Sequence, residues 1–137
     1  MADTFQLRLI SPRKEIFSGQ AEAVMLPGES GDFGVLSGHT KFVTALRPGE
    51  LRLVAKGKTQ VFAVGGGFAE VYGQGVTVLA DSLESQADID VERAQRSIEK
   101  AKAGLKSTDR SEEYKIARFN ARLTRALNRI TIARGRS

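Results

Sequence analysis

Apolar residues recur at every second position along the first two-thirds of the chain and at every third or fourth position along the last third. Phe5, Leu7 and Leu9 alternate with polar residues, the pattern of a half-buried strand. Ser11-Pro12 interrupts that strand, and Glu15-Ile16-Phe17 before Gly19 reads as a short edge piece. Further strands are predicted at Glu22–Leu26, Phe33–Leu36, Phe42–Leu46, Leu51–Ala55, Gln60–Val64, Phe68–Tyr72 and Val76–Ala80. Turn residues separate them: Pro27-Gly28, Pro48-Gly49, Lys56-Gly57-Lys58, Gly65-Gly66-Gly67 and Gly73-Gln74-Gly75. About 8–10 short strands with hairpin-length links and no helix between them predict an antiparallel β-sandwich or barrel.

The pattern then changes period. Val91, Ala94, Ile98, Ala101 and Leu105 form a seven-residue seam, and Ile116, Phe119, Leu123, Ala126 and Ile130 repeat it. Asp88 is the expected N-cap of the first helix, with Asp90 and Glu92 complementing the dipole in its first turn. Gly104 and Ser107-Thr108 mark its end. Asp109 and Glu112 have the spacing of a capping box for a second helix that runs to about Ala133. A short link between two long helices predicts an antiparallel hairpin. The fold class is therefore α+β, mostly β: a sandwich at 1–86, a hinge near Gln86–Asp88 and a two-helix hairpin at 88–137. Two helices of about 46 residues together fall below the size that usually sustains its own core, so the hairpin is a candidate moving part.

Composition changes this picture in one respect. The chain has 137 residues and a net charge of +5. Residues 1–87 hold 8 Lys/Arg against 9 Asp/Glu, whereas residues 88–137 hold 13 against 7. The basic character belongs to the helical tail, which should meet carboxylates, phosphates or nucleic acid, unless it is simply a solvated surface. The absence of cysteine excludes disulfides and thiolate metal sites and suits a reducing compartment. Met1-Ala2-Asp3 lacks the basic and apolar segments of a secretory signal, and no uncharged apolar run approaches the length of about 18 residues that spans a bilayer. Membrane association is therefore expected only through a partner.

Catalytic patterns are sparse. His39 is the one histidine, and its proximity to Ser37 does not make a triad. It is expected to be a structural or interface residue. Gly65-Gly66-Gly67 precedes a strand rather than a helix with a Lys-Ser or Lys-Thr pair, so a turn or close strand contact accounts for it better than a phosphate cradle. No enzyme is expected.

Several short motifs carry a resemblance over essentially the whole chain. They are Phe17-Ser18-Gly19, Gly34-Val35-Leu36-Ser37-Gly38-His39, Thr44-Ala45-Leu46 with Pro48-Gly49, Gly66-Gly67-Phe68-Ala69-Glu70-Val71, and Val76-Thr77-Val78-Leu79-Ala80-Asp81. Together, in this order and followed by a helical hairpin, they resemble the epsilon subunit of bacterial F-type ATP synthases. Ser37 stands where that family usually has proline; a turn accepts either. The resemblance implies a non-catalytic rotor subunit on the cytoplasmic face of the bacterial inner membrane, with the gamma subunit, the c-ring and the alpha/beta catalytic subunits as partners. It implies that the sandwich couples ring rotation to the catalytic head, with Glu29, Ser30, Gly31 and Asp32 in the ring-contacting loop and His39 in the gamma-contacting region. It also implies that the hairpin lies folded in one state and extends in another to inhibit ATP hydrolysis. The isolated chain is expected to be a monomer with no obligatory cofactor.

The resemblance extends to a nucleotide site on the hairpin. Ile89-Asp90-Val91-Glu92-Arg93-Ala94 fits the family's Ile/Leu-Asp-x-x-Arg-Ala motif, and Glu84, Arg125 and Arg129 fall at matching positions. Lys100 replaces a further arginine, keeping the charge but losing the planar fork. ATP is thus implied as a regulatory ligand. Asp90 and Arg93 sit three apart on one helix, and Arg125 and Arg129 four apart on the other. In an antiparallel hairpin these groups lie at one end, where guanidinium forks can converge on a triphosphate. Two rival functions compete with this reading. Nucleic-acid binding would use Arg118, Arg122, Arg125 and Arg129 against phosphates, although the interleaved stacking aromatics are absent. A stand-alone carbohydrate or peptide module would use the sandwich.

Overall fold

The computed structural model describes residues 3–36 and 41–135, so Ser37, Gly38 and His39 lie outside the described residues. The chain divides into two compact units, Met1–Gln86 and Ala87–Ser137.

The first unit contains β1 (Phe5–Ile10), β2 (Glu15–Ala21), β3 (Ala23–Gly28), β4 (Gly31–Val35), β5 (Phe42–Ala55), β6 (Lys58–Tyr72), β7 (Gly75–Ala80) and β8 (Leu83–Ser85). Hydrogen bonding orders them β2-β1-β7-β6-β5-β3-β4, with β8 also on β6. Two of these strands are longer than the turn residues suggest. Pro48-Gly49 and Gly65-Gly66-Gly67 were expected to separate strands, yet β5 and β6 run through them and stay paired from Phe42↔Val71 to Ala55↔Lys58. The physical reason is that both runs meet opposite each other: Pro48 pairs with Gly65 and Leu46 with Gly67. The ribbon bends there instead of reversing. Its two halves take different neighbours. Gly67–Tyr72 pair with β7, while Phe62–Val64 pair with β8. Long strands that bend and change partners are a standard way to join the two layers of a sandwich. One pairing, β1 with β7, is parallel; no hairpin joins these strands, so nothing local forces the antiparallel sense.

Alternation places one set of side chains inside. Phe5, Leu7 and Leu9 of β1, Val24 and Leu26 of β3, Leu51 and Leu53 of β5, and Val76 and Val78 of β7 form one buried cluster. No buried side-chain polar atom lacks a partner among the described residues.

The second unit follows a short 3-10 turn at Gln86–Asp88 and contains α1 (Val91–Ser107) and α2 (Glu113–Ala133). The N-cap of α1 is Asp90 rather than Asp88. Its backbone is extended, and its carboxylate accepts the Arg93 N–H at 3.0 Å. Asp88 is consumed in the preceding turn. The capping box at the second helix does not form. Asp109 instead accepts the Ser111 N–H at 3.0 Å, and Glu112 is engaged by Lys115 at 2.7 Å. An Asx turn closed two residues on competes with the box for the same carboxylate. The seam is narrower than its sequence pattern. Ala94, Ile98, Ala126 and Ile130 cluster with Leu123, whereas Val91 is 37% exposed in the first turn. Further along, a side chain on Gly104 would run into the Phe119 ring. Early α1 thus meets late α2, and late α1 meets early α2, which makes the pair antiparallel.

Candidate functional site

Two groups of sequence-predicted residues occupy two separate places. The first is the tip of the β3–β4 hairpin. Glu29 and Ser30 form the turn between Gly28 and Gly31, and Glu29 through Asp32 are all exposed. Strand β5 supports this tip from one side. The Glu29 N–H donates to the Ala45 carbonyl at 2.9 Å. The Arg47 guanidinium donates from one nitrogen to the Gly28 carbonyl and from another to the Asp32 carboxylate. Phe33 of β4 packs edge-on against Phe42 of β5, with centroids 5.6 Å apart. The tip is therefore braced on its flank while its outer residues stay open to a partner. His39 lies outside the described residues.

The second group is on the helical unit. Asp90 spends a carboxylate oxygen on capping α1, which fixes where the helix starts and so where Arg93 stands. Arg93 and Lys100 are exposed, while Ile89 and Ala94 are buried. Arg125 and Arg129 are half-buried, each one position before a buried seam residue, Ala126 and Ile130. Because Ala94 shares a cluster with Ala126 and Ile130, the structure gathers Asp90, Arg93, Arg125 and Arg129 at one end of the hairpin. Ala94 itself contributes its methyl to the seam. Glu84 belongs to the first unit, on β8 opposite Ala63. Among the described residues, no cluster of His, Asp or Glu suited to a metal ion is present.

Outside these two places, neighbours shift three ionisable groups among the described residues. The Asp109 carboxyl is held below its ordinary value by the Ser111 backbone N–H and then its hydroxyl. Lys115 lowers Glu112 in the same connection, and Glu15 raises Arg8 across the β1–β2 pair.

Two features escaped the sequence reading. Arg47 is far from Asp32 along the chain, and no local pattern couples them. The other is an apolar stripe on the outer face of the sheet: Val43, Phe68 and Leu79 are 65%, 57% and 54% exposed. Phe68 pairs with Ala45 on one side and Leu79 on the other, so the stripe crosses three strands. A signal for it existed in Val78-Leu79-Ala80, where consecutive apolar residues put apolar surface on both faces.

The family models that match are "ATP synthase, Delta/Epsilon chain, beta-sandwich domain" over residues 4–86 and "ATP synthase, Delta/Epsilon chain, long alpha-helix domain" over residues 87–134. The chain is 44% identical to the ATP synthase epsilon chain of Desulforapulum autotrophicum over 133 residues, covering 96% of this chain and 97% of that one. It is 46% identical to the ATP synthase epsilon chain of Afipia carboxidovorans over 110 residues, 80% of this chain and 81% of that one. Among solved structures, a chain of the Euglena gracilis mitochondrial ATP synthase, OSCP/F1/c-ring, is similar with a TM-score of 0.76 and 26% identity, over 91% of this chain and 78% of that one. A chain of the Tetrahymena thermophila mitochondrial ATP synthase central stalk/c-ring shares the fold at a TM-score of 0.66 and 10% identity, over 96% and 98% of the two chains. With both of its units matched, the chain belongs to the ATP synthase delta/epsilon family, as an epsilon-type subunit.

Proposed function

We propose that this chain is the non-catalytic epsilon subunit of an F-type ATP synthase central stalk, located peripherally on the cytoplasmic face of a bacterial inner membrane. No helix among the described residues is long and apolar enough to cross a membrane, so attachment runs through the complex. The observation that carries the reading is the family match across both units, 4–86 and 87–134. The sandwich transmits rotation. Its braced β3–β4 tip meets polar loops of the c-ring, and its exposed stripe of Val43, Phe68 and Leu79 offers the gamma subunit an apolar surface of the kind that marks an interaction site. The hairpin inhibits ATP hydrolysis by leaving its closed state and presenting its basic helices to acidic groups of the catalytic subunits. Family membership leaves the nucleic-acid reading of the basic tail without support.

ATP acts on this hairpin as a ligand of its closed form. The gathering of Asp90, Arg93, Arg125 and Arg129 at one end supports that reading, because charge-assisted forks from both helices can share one triphosphate only while the helices are paired. A closed-state ligand at 100 times its dissociation constant stabilises that state by about 2.7 kcal/mol, enough to shift it about 100-fold. High ATP then holds the hairpin shut, and low ATP releases it. The test is calorimetric titration of the chain with ATP, with GTP and the Arg93→Ala and Arg125→Ala variants in parallel. Saturable binding to the wild type, lost in both variants, is the expected result. No heat at millimolar ATP removes the nucleotide from the mechanism and leaves a hairpin governed by rotation alone.

A further inference from the structure

The β3–β4 ladder runs unbroken to Gly28↔Gly31, but its attachment to β5 is interrupted just behind the tip. Strand β3 pairs with β5 regularly from Ala23↔Val54 to Met25↔Arg52, then shifts register before Gly28↔Leu46. Pro27 falls in the interruption and has no N–H to give. It also lies hard against β5, where a Cβ on Gly49 would sit 2.5 Å from its own Cβ. Beyond it, toward β5, the tip keeps the Gly28↔Leu46 pairing and the Glu29 N–H to the Ala45 carbonyl, at 2.9 Å. A hairpin end anchored to its neighbour strand by so few bonds can swing or fray, because the last bonds of a ladder open with little free-energy cost. Arg47 adds side-chain ties from β5 across the interruption. One nitrogen bonds the Gly28 carbonyl at the end of β3, and the other bonds the Asp32 carboxylate on β4. One rigid fork therefore grips both arms of the hairpin just behind its tip, a task to which a lysine ammonium brings no fixed geometry.

We propose that Arg47 is a positioning residue for the β3–β4 tip: it fixes the pose in which Glu29 and Ser30 are presented to the ring, and it neutralises Asp32 from behind. The inference rests on the reading of that tip as the ring contact. It divides labour between the two acids of the loop. Asp32 serves the brace, and Glu29, which extends from the turn itself, is the carboxylate offered to a donor or cation on the partner. The pair is half-exposed, with side chains 42% and 56% accessible, so it adds little to global stability. Its effect is local order.

The experiment has two arms. In the full-length chain, amide exchange at Glu29 is compared for the wild type, Arg47→Met and Arg47→Lys. Arg47→Met, which keeps length but has no donor, should speed exchange there by about three- to tenfold, with an unchanged melting temperature. Arg47→Lys should fall between. In the second arm, each chain is added back to ATP synthase stripped of this subunit. Arg47→Met should weaken association by a similar factor, and Arg47→Lys should restore part of it. Unchanged exchange in Arg47→Met overturns the brace. Faster exchange with undiminished association overturns the positioning role. Ser30→Trp separates the underlying reading: if that bulky tip leaves association intact, the tip is not the ring contact and the positioning role falls with it, whereas the exchange arm still judges the brace.

Discussion

Gly67 shows how much one residue decides here. Its φ is +135°, in a region that favours glycine, and a Cβ there would run into the Leu79 carbonyl of the neighbouring strand. Gly67→Ala should therefore cost about 3 kcal/mol, from backbone strain and the clash together. That lowers the melting temperature of the sandwich by on the order of 10 °C. An alanine variant melting within a degree or two of the wild type would show that the bend tolerates a side chain. Asp109 makes a second, pH-dependent prediction. Its folded value lies below the ordinary 3.8 because it accepts from Ser111. A depressed folded value means the stabilisation is complete above 3.8 and disappears as the pH falls through the lower folded value. An NMR titration of the Asp109 carboxyl should give a midpoint below 3.8, moving upward in Ser111→Ala, which loses the hydroxyl bond and keeps the backbone one. An unshifted midpoint would mean the turn is open in solution.

At the scale of elements, the two helices depend on a small seam. Two of its four buried members are alanines, and Ile98 and Ile130 carry most of its volume. Ile98→Ala should cost the hairpin about 2–4 kcal/mol, since a buried isoleucine is lost where little else can fill the space. Amide exchange should accelerate across both helices and leave the strands of the first unit unchanged. Uniform acceleration over the whole chain would show that hairpin and sandwich open together. The seven-residue pattern made these helices readable in advance, because a helix face is a local property of the chain. The cap was misplaced by two residues for an equally physical reason. Asp88 and Asp90 are both competent caps, and the choice falls to whichever residue the preceding 3-10 turn leaves extended. Among the strands, alternation marked the inward residues of β1 and β7. It could not reveal that β5 and β6 pass through their Pro-Gly and Gly-Gly-Gly runs, since those residues permit a turn and a bend alike.

For the whole molecule, the division into two units yields a prediction about independence. The buried cluster of the first unit draws its members from Phe5 to Leu83, all of them on strands. A chain ending at Gln86 should therefore keep a β-type circular dichroism spectrum and one cooperative melt. A broad, non-cooperative melt would assign the helices a share in folding the sandwich. The alternating strands, the helical seam, the basic tail and the Asp90–Arg93 spacing were all determined by the sequence alone, because each depends on residues near one another in the chain. Only the tertiary structure decided which strands are one strand, that Arg47 reaches Asp32 and Gly28, and that Val43, Phe68 and Leu79 form one exposed stripe. Each of those joins distant parts of the chain, and strand pairing or helix closure sets the meeting point, which no local pattern encodes.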